Sequence, residues 1–172
     1  NLPNDTGKQS GSGWILRLLP FVEQQNLYDQ FDLTGDWGNG LRHPRNRTAV
    51  KTILPLLHCP SDPTSLQLSK NQAQWGGIEI ALTNYKGVLG DNRMGGNSSQ
   101  FQGTMPDVHH YHAKGPNGIL YRYSAVVQPN RWDYFPDGTS NTFMIGEDVP
   151  MHNGHSAWCF SNGDYCSAHA PL

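Results

Sequence analysis

The segment Leu57-His58-Cys59-Pro60-Ser61-Asp62-Pro63 (LHCPSDP, residues 57–63) marks a change of pattern in this chain of 172 residues. Before it, apolar residues recur at helical intervals. After it, short extended runs alternate with turns. Helices first and strands later predict an α+β domain, in which the helices pack on a mainly antiparallel sheet with long loops.

The part before this segment predicts two helices. Apolar residues are spaced at helical intervals over 14–31, and polar residues stand between them. Pro20 lacks an N–H and its ring clashes with the preceding turn, so we expect a bend there and a firm helix over about 20–31. Asn46 is suited to cap a second short helix over 47–54.

The part after it holds four strand candidates, which are residues 82–89, 118–123, 142–146 and 156–160. Residues 90–118 show little periodicity and are too long for a simple connector, so this loop is either functional or packed by its aromatic side chains. The chain shows no internal repeat. Its length suits one domain, since single cores of about 100–200 residues are usual.

Composition excludes several classes of protein. The 19 glycines and 12 prolines are about 18% of the chain, below the roughly 25–30% of low-complexity sequences. A net charge of −2 provides no general field for attracting nucleic acid or anionic lipid. Arg42, His43, Arg45 and Arg47 form the only basic cluster, which we interpret as a solvated loop. The longest apolar run, 53–57, is interrupted by a proline and far shorter than the ~20 residues of a membrane span.

The two ends indicate a piece of a longer protein. The chain begins at Asn1 without an initiator Met and stops at Leu172 without a polar tail. We therefore expect a processed or truncated chain, with any targeting segment out of view.

The three cysteines are Cys59, Cys159 and Cys166. An odd number means that at least one is a free thiol or pairs outside this chain. Cys159 and Cys166 flank a turn signal at 161–164, so a hairpin there would bring the two sulfurs together as a disulfide. A Cys59–Cys166 bridge and three reduced thiols are the alternatives.

Five segments stand in a characteristic order. They are Trp14–Gln30 (WILRLLPFVEQQNLYDQ), Leu57–Pro63 (LHCPSDP), Thr83–Gly90 (TNYKGVLG), Gly118–Tyr121 (GILY) and Asp137–Glu147 (DGTSNTFMIGE). In this order and at these spacings they resemble the large prepilin-like family of unknown function known mainly from planctomycete bacteria. The tail from His152 (HNGHSAWCFSNGDYCSAHAPL) resembles one subgroup. Each match alone is weak, whereas together they are specific and cover nearly the whole chain.

The resemblance implies a type IV pilin-like or pseudopilin-like protein. Such proteins carry a prepilin cleavage and methylation site, a long hydrophobic N-terminal helix, and an α+β head exposed outside the inner membrane. The family also carries a solute-binding label. This chain departs from the pattern, because it lacks the N-terminal helix and the closing motif in which a His precedes an Asp-Gly by nine residues. Residues 1–172 are then a single globular head domain without its hydrophobic helix and its last strand.

The residues that could act in catalysis do not stand in a known catalytic motif. Ser140, His152 and Asp148 are the candidates for nucleophile, base and orienting group. No Gly-x-Ser-x-Gly elbow, phosphate loop, dinucleotide fingerprint or His-Glu-x-x-His motif surrounds them. We therefore expect no enzymatic activity.

Calcium is the one candidate cofactor. Asp137, Thr139 and Asn141 place oxygen-bearing side chains at alternate positions around Gly138, as at the opening of calcium loops. The full EF-hand spacing fails because the twelfth position is not a Glu. The alternative is an Asx-turn that begins a strand.

Histidines form a second candidate metal site. His152 and His155 stand close together, near two acidic residues, and can share a transition metal if Pro150 turns the chain. The run 109–112 contains three more histidines without a familiar zinc spacing. The alternative for both groups is solvated turn residues.

Aromatic residues offer a ligand surface. Trp132 and Tyr134 are the leading candidates among the loop aromatics, which also include Trp37 and Trp75, because sugar rings stack on such side chains. The alternative is that these aromatics fill the core, where each buries ~150–250 Å².

The leading functional hypothesis is a non-enzymatic, exported, pilin-like or pseudopilin-like structural subunit of a surface filament or secretion-type assembly. Its partners are copies of itself or other pilin-like subunits, it meets the membrane only through the missing helix, and its location is extracellular or at the cell surface. The alternative hypothesis is an extracellular module that binds a glycan or another small solute.

Overall fold

The computed structural model describes residues 11–34, 40–72, 75–88, 120, 135 and 138–160. These residues form short helices, two small sheets and many loops, which confirms the predicted α+β class. The chain divides into two compact units, the first made of Asn1–Tyr85 and Glu147–Asp164, the second of Lys86–Gly146 and Tyr165–Leu172. Within the described ranges, no helix is long and apolar enough to cross a membrane.

The first predicted helix is broken in the structure. Helix α1 spans Trp14–Leu18, a 3₁₀ turn spans Leu19–Phe21, and helix α2 spans only Gln25–Tyr28. The continuous helix expected over 20–31 is therefore wrong. Pro20 lies in the first turn of the 3₁₀ segment, where its missing N–H costs nothing, and the break follows at Glu23, whose φ of 60° is left-handed.

The second predicted helix, over 47–54, is also wrong. Within this range only Ala49–Lys51 forms a 3₁₀ turn, and two further 3₁₀ turns, Pro44–Asn46 and Pro55–Leu57, lie on either side of the range. Asn46 caps no helix, because its side chain is committed to tertiary contacts. Its Oδ1 accepts from the backbone N–H of Asp32 (2.8 Å), and its Nδ2 donates to the carbonyls of Asp32 (3.0 Å) and Gly40 (3.2 Å).

The strands are short. β1 (Leu68–Ser69) pairs antiparallel with β2 (Ile80–Ala81), with Leu68 opposite Ala81. β3 (Tyr85–Gly87) and β4 (Ile145–Glu147) form the second sheet. Two further 3₁₀ turns, Thr139–Asn141 and Pro150–His152, flank β4.

Three of the four strand candidates take part in strand pairing. The runs 82–89 and 142–146 overlap β3 and β4, respectively. The run 156–160 forms isolated bridges, Ala157 with Leu82 and Phe160 with Ser12. The run 118–123 lies outside the described residues except for Leu120, whose N–H donates to the Val88 carbonyl (3.2 Å).

The core of the first unit is built around two tryptophans. Trp75 and Trp158 are fully buried, and each meets a phenylalanine ring edge to face, Trp75 with Phe160 (centroids 5.5 Å apart) and Trp158 with Phe31 (5.8 Å). The indole N–H of Trp158 donates to the Val50 carbonyl (3.3 Å). The segment before 161 therefore packs against residues from the helical part of the chain.

Candidate functional site

The calcium candidates lie in an exposed turn. Thr139 and Asn141 are the first and last residues of a 3₁₀ turn, which follows Gly138 (φ 81°). The turn is closed by the Asn141 N–H (3.1 Å) and the Thr142 hydroxyl (3.0 Å), which both donate to the Gly138 carbonyl. Asp137 lies outside the described residues, so the calcium site stays a prediction.

The histidine candidates lie next to a real turn. Pro150 begins the 3₁₀ turn that ends at His152, as the metal hypothesis required. His152 is exposed, whereas His155 is half-buried and its backbone N–H donates to the Asn153 side chain (2.9 Å). In the described part of the chain, no three His, Cys, Asp or Glu residues come close enough to hold a metal. The histidines of 109–112 lie outside that part.

The cysteine and aromatic candidates fall partly outside the described residues. Cys159 is fully buried in the core, but Cys166 lies outside, so their disulfide stays a prediction. Among the described residues Cys59 forms no disulfide, and the alternative Cys59–Cys166 bridge likewise stays a prediction. Trp132 and Tyr134 also lie outside. Trp75, by contrast, is completely buried, as the alternative of a core role proposed for it.

The densest polar contact centres on Asn84, a residue for which the sequence predicted no role. Its Oδ1 accepts from the backbone N–H of Cys59 (2.9 Å). Its Nδ2 donates to the Asp62 carboxylate (2.8 Å) and to the carbonyl of Asp148 (2.9 Å). Asn84 is only 1% exposed, and its carboxamide uses both hydrogens and the oxygen. We call Cys59, Asp62, Asn84 and Asp148 the Asn84 clamp.

Backbone bonds reinforce the clamp. The N–H of Asn84 donates to the Leu57 carbonyl (3.0 Å), and its own carbonyl accepts from the N–H of Asp148 (2.7 Å). The buried hydroxyl of Thr83 donates to the same Leu57 carbonyl (3.2 Å) and accepts from the Tyr85 N–H (3.0 Å). Three chain segments distant in sequence are thus held at one point.

The Asp62 carboxylate is held by several donors. Its Oδ1 accepts from the hydroxyl (2.6 Å) and the N–H (2.9 Å) of Thr64, and its Oδ2 accepts from Asn84. The Thr64 hydroxyl, then Asn84, then the Thr64 N–H hold the pKa of Asp62 below its usual value. Such a carboxylate is a poor proton acceptor at neutral pH, so its role in the clamp is to fix the turn after Cys59.

His58 is the unusual group beside the clamp. It is 7% exposed, and neither ring nitrogen has a hydrogen-bond partner among the described residues. Burial lowers the pKa of His58, and the nearby charge of Asp62 opposes this shift. The backbone at His58 is extended (φ −120°, ψ 136°), so the side chains of His58 and Cys59 point in opposite directions and do not form a nucleophile–base pair.

The clamp joins two segments that the sequence analysis singled out. LHCPSDP contributes Cys59 and Asp62, and TNYKGVLG contributes Asn84. The only signal in the sequence for a role of these two segments was that both belong to the five that resemble the prepilin-like family. Nothing in the local pattern identifies their contact, because the partners lie 22 to 64 residues away from Asn84.

Comparison with known proteins places the chain in a family. A family model described as a protein of unknown function (DUF1559), with the short name SBP_bac_10, matches residues 1–170. No curated protein and no solved structure matches the chain.

Replacement of Asn84 tests the clamp. Asn84→Ala leaves the part-buried N–H of Cys59 and the part-buried carbonyl of Asp148 without their partner, and each of these losses costs about 1–3 kcal/mol. It also removes one donor to the Asp62 carboxylate. We expect the free energy of unfolding, measured by urea denaturation, to fall by about 3–5 kcal/mol. The control is Asn71→Ala at an exposed position, which should change it by less than about 0.5 kcal/mol. Equal effects of the two changes would contradict a clamp.

The buried imidazole predicts acid-sensitive stability. Because the folded-state pKa of His58 is lowered, the unfolded chain binds a proton first as the pH falls below the ordinary value of 6.5. The neutral imidazole of His58 therefore contributes its full stabilisation above pH 6.5. Below pH 6.5 the free energy of unfolding falls, by no more than about 1.4 kcal/mol per pH unit.

The measurement is the free energy of urea unfolding between pH 8 and pH 5. His58→Leu, which cannot titrate, should flatten the decline relative to the wild type. His152→Leu, at an exposed position, should leave it unchanged. If the free energy of unfolding falls in parallel for His58→Leu and the wild type, the imidazole of His58 is not the source of the acid sensitivity.

Proposed function

This chain belongs to the DUF1559 family of proteins of unknown function, and we propose that it is a non-enzymatic, exported subunit of a surface filament or secretion-type assembly, pilin-like or pseudopilin-like in its head. In this proposal the protein lies at the cell surface, and its partners are its own copies or other pilin-like subunits. Asp137, Thr139 and Asn141 are the candidate calcium ligands in this proposal, and we expect no nucleic-acid partner.

The saturation of the Asn84 clamp is the observation that carries this proposal. The carboxamide of Asn84 and the carboxylate of Asp62 bond the chain itself. The carboxylate of Asp148 accepts from the Asn153 side chain (2.6 Å). Polar groups used in this way make a rigid framework, which supports a structural role for the domain.

Exposed apolar side chains in the second unit give further support. Phe143, Met144 and Ile145 are 71%, 47% and 42% exposed, although they are consecutive. Phe143 and Met144 lie directly before β4 and Ile145 begins it, so three apolar side chains in a row are exposed here. Exposed apolar patches are typical of protein–protein contact sites. We propose that this segment makes lateral contacts between subunits.

Electron microscopy of the full-length protein tests the assembly. We expect filaments or regular oligomers, and Phe143→Asp should reduce their number strongly because it places a charge in an apolar contact. Phe21→Asp is the matched control, since Phe21 is equally exposed (76%) and lies in the first unit. Only monomers at every concentration, without membrane association, would overturn the proposal.

A solute-binding module is the second candidate, favoured by the short name of the family model. In this version the aromatic side chains of Trp132 and Tyr134 stack against a sugar ring or another flat solute. Calorimetric titration with a panel of oligosaccharides should then show binding that Trp132→Ala removes. Absence of heat with every oligosaccharide for the wild type would count against this candidate and agree with a structural subunit.

A further inference from the structure

Charge is distributed very unevenly along this chain. The stretch 42–60 holds four basic residues, Arg42, Arg45, Arg47 and Lys51, and no acidic one. The stretch 132–172 has no Lys or Arg and five acidic residues, Asp133, Asp137, Glu147, Asp148 and Asp164. A net charge of −2 therefore hides two stretches of opposite sign.

The basic stretch exposes large apolar side chains as well as positive charges. We define the basic surface as Arg45, Arg47, Lys51, Ile53 and Leu56. Ile53 and Leu56 are 37% and 44% exposed, although both are large and apolar. Arg45 and Lys51 form ion pairs with Asp32 and Glu79, each at 2.8 Å. Exposed pairs of this kind contribute only ~0–1 kcal/mol, so both cations can exchange to a better partner.

The acidic stretch has the same mixed character. We define the acidic surface as Glu147, Asp148, Val149 and Met151. Glu147 is exposed, and Val149 and Met151 are 45% and 62% exposed. Hydrogen bonding of Asp148 by Asn153 fixes the carboxylate without removing its charge. Both surfaces belong to the first unit.

We propose that the acidic surface of one copy of this chain binds the basic surface of the next copy. The two surfaces match in character, since each combines exposed aliphatic side chains with an excess of charge of one sign. The excess on the basic surface stays positive even with its ion-pair partners Asp32 and Glu79 counted, and the excess on the acidic surface is negative. Complementary charges of this kind fix register and exclude like-charged partners, while the apolar atoms supply the buried area.

The geometry of the contact follows from its asymmetry. In this proposal each copy uses its two surfaces for two different neighbours, so the contact is head-to-tail, whereas a two-fold dimer would pair both surfaces between the same two copies. Such a contact repeats from copy to copy and produces a ring or an open filament. This inference rests on the proposed function and names the contact between neighbouring subunits.

Charge reversal tests the contact by sedimentation velocity at low and high salt. Glu147→Lys alone and Arg47→Glu alone each place like charges in the contact, and we expect each to weaken self-association about tenfold, which corresponds to about 1.4 kcal/mol. The double variant restores opposite signs and should recover most of the wild-type association. A merely misfolded surface would not be rescued in this way.

Two controls carry the same changes of charge at exposed positions outside both surfaces. Asp29→Lys matches Glu147→Lys, and Arg17→Glu matches Arg47→Glu. Neither should alter self-association by more than about twofold, since distant exposed charges are screened. Raising the salt concentration should weaken association of the wild type and of the double variant.

The outcomes separate this inference from the proposed function. Full-length protein that forms filaments which neither reversal affects, or a double variant no better than the single ones, overturns the contact and leaves the structural role in place. A wild type that stays monomeric in sedimentation while micrographs show filaments also overturns the contact. Micrographs with no assembly under any condition count against both.

Discussion

The carboxamide of Asn84 is the contact on which the first unit depends. A single planar group bonds the backbone of Cys59, the side chain of Asp62 and the carbonyl of Asp148. Its burial makes each of these bonds strong and the loss of any of them costly. The prolines and polar residues of LHCPSDP can approach the core because this group meets their hydrogen-bonding needs.

The position of the last described segment follows from the same contact. Next to Asn84, the N–H of Thr83 donates to the carbonyl of Ser156 (3.0 Å), and Leu82 bridges to Ala157. These bonds place Trp158 against the helical part of the chain, where its ring contacts Phe31 edge to face. The polar clamp and the aromatic core therefore support each other.

The buried polar groups and the exposed side chains of this molecule have different roles. Inside, the polar side chains of the clamp serve the fold, and His58 differs from them because its ring nitrogens have no hydrogen-bond partner among the described residues. Outside, large apolar side chains are exposed close in sequence to charged residues, as Met151 is to Glu147. The exterior is consequently where we seek the activity of this member of a family of unknown function.

Sequence alone determined the α+β class, since the spacing of apolar residues is a local property and changes visibly after LHCPSDP. It also identified the two segments that meet at the clamp. Only the tertiary structure decided how they meet and where the helices end. Asn46 bonds Asp32 and Gly40 instead of capping a helix, and Asn84 bonds a carbonyl 64 residues away. A carboxamide can serve any nearby donor or acceptor, so its partners depend on the packing of distant segments, which no local pattern records.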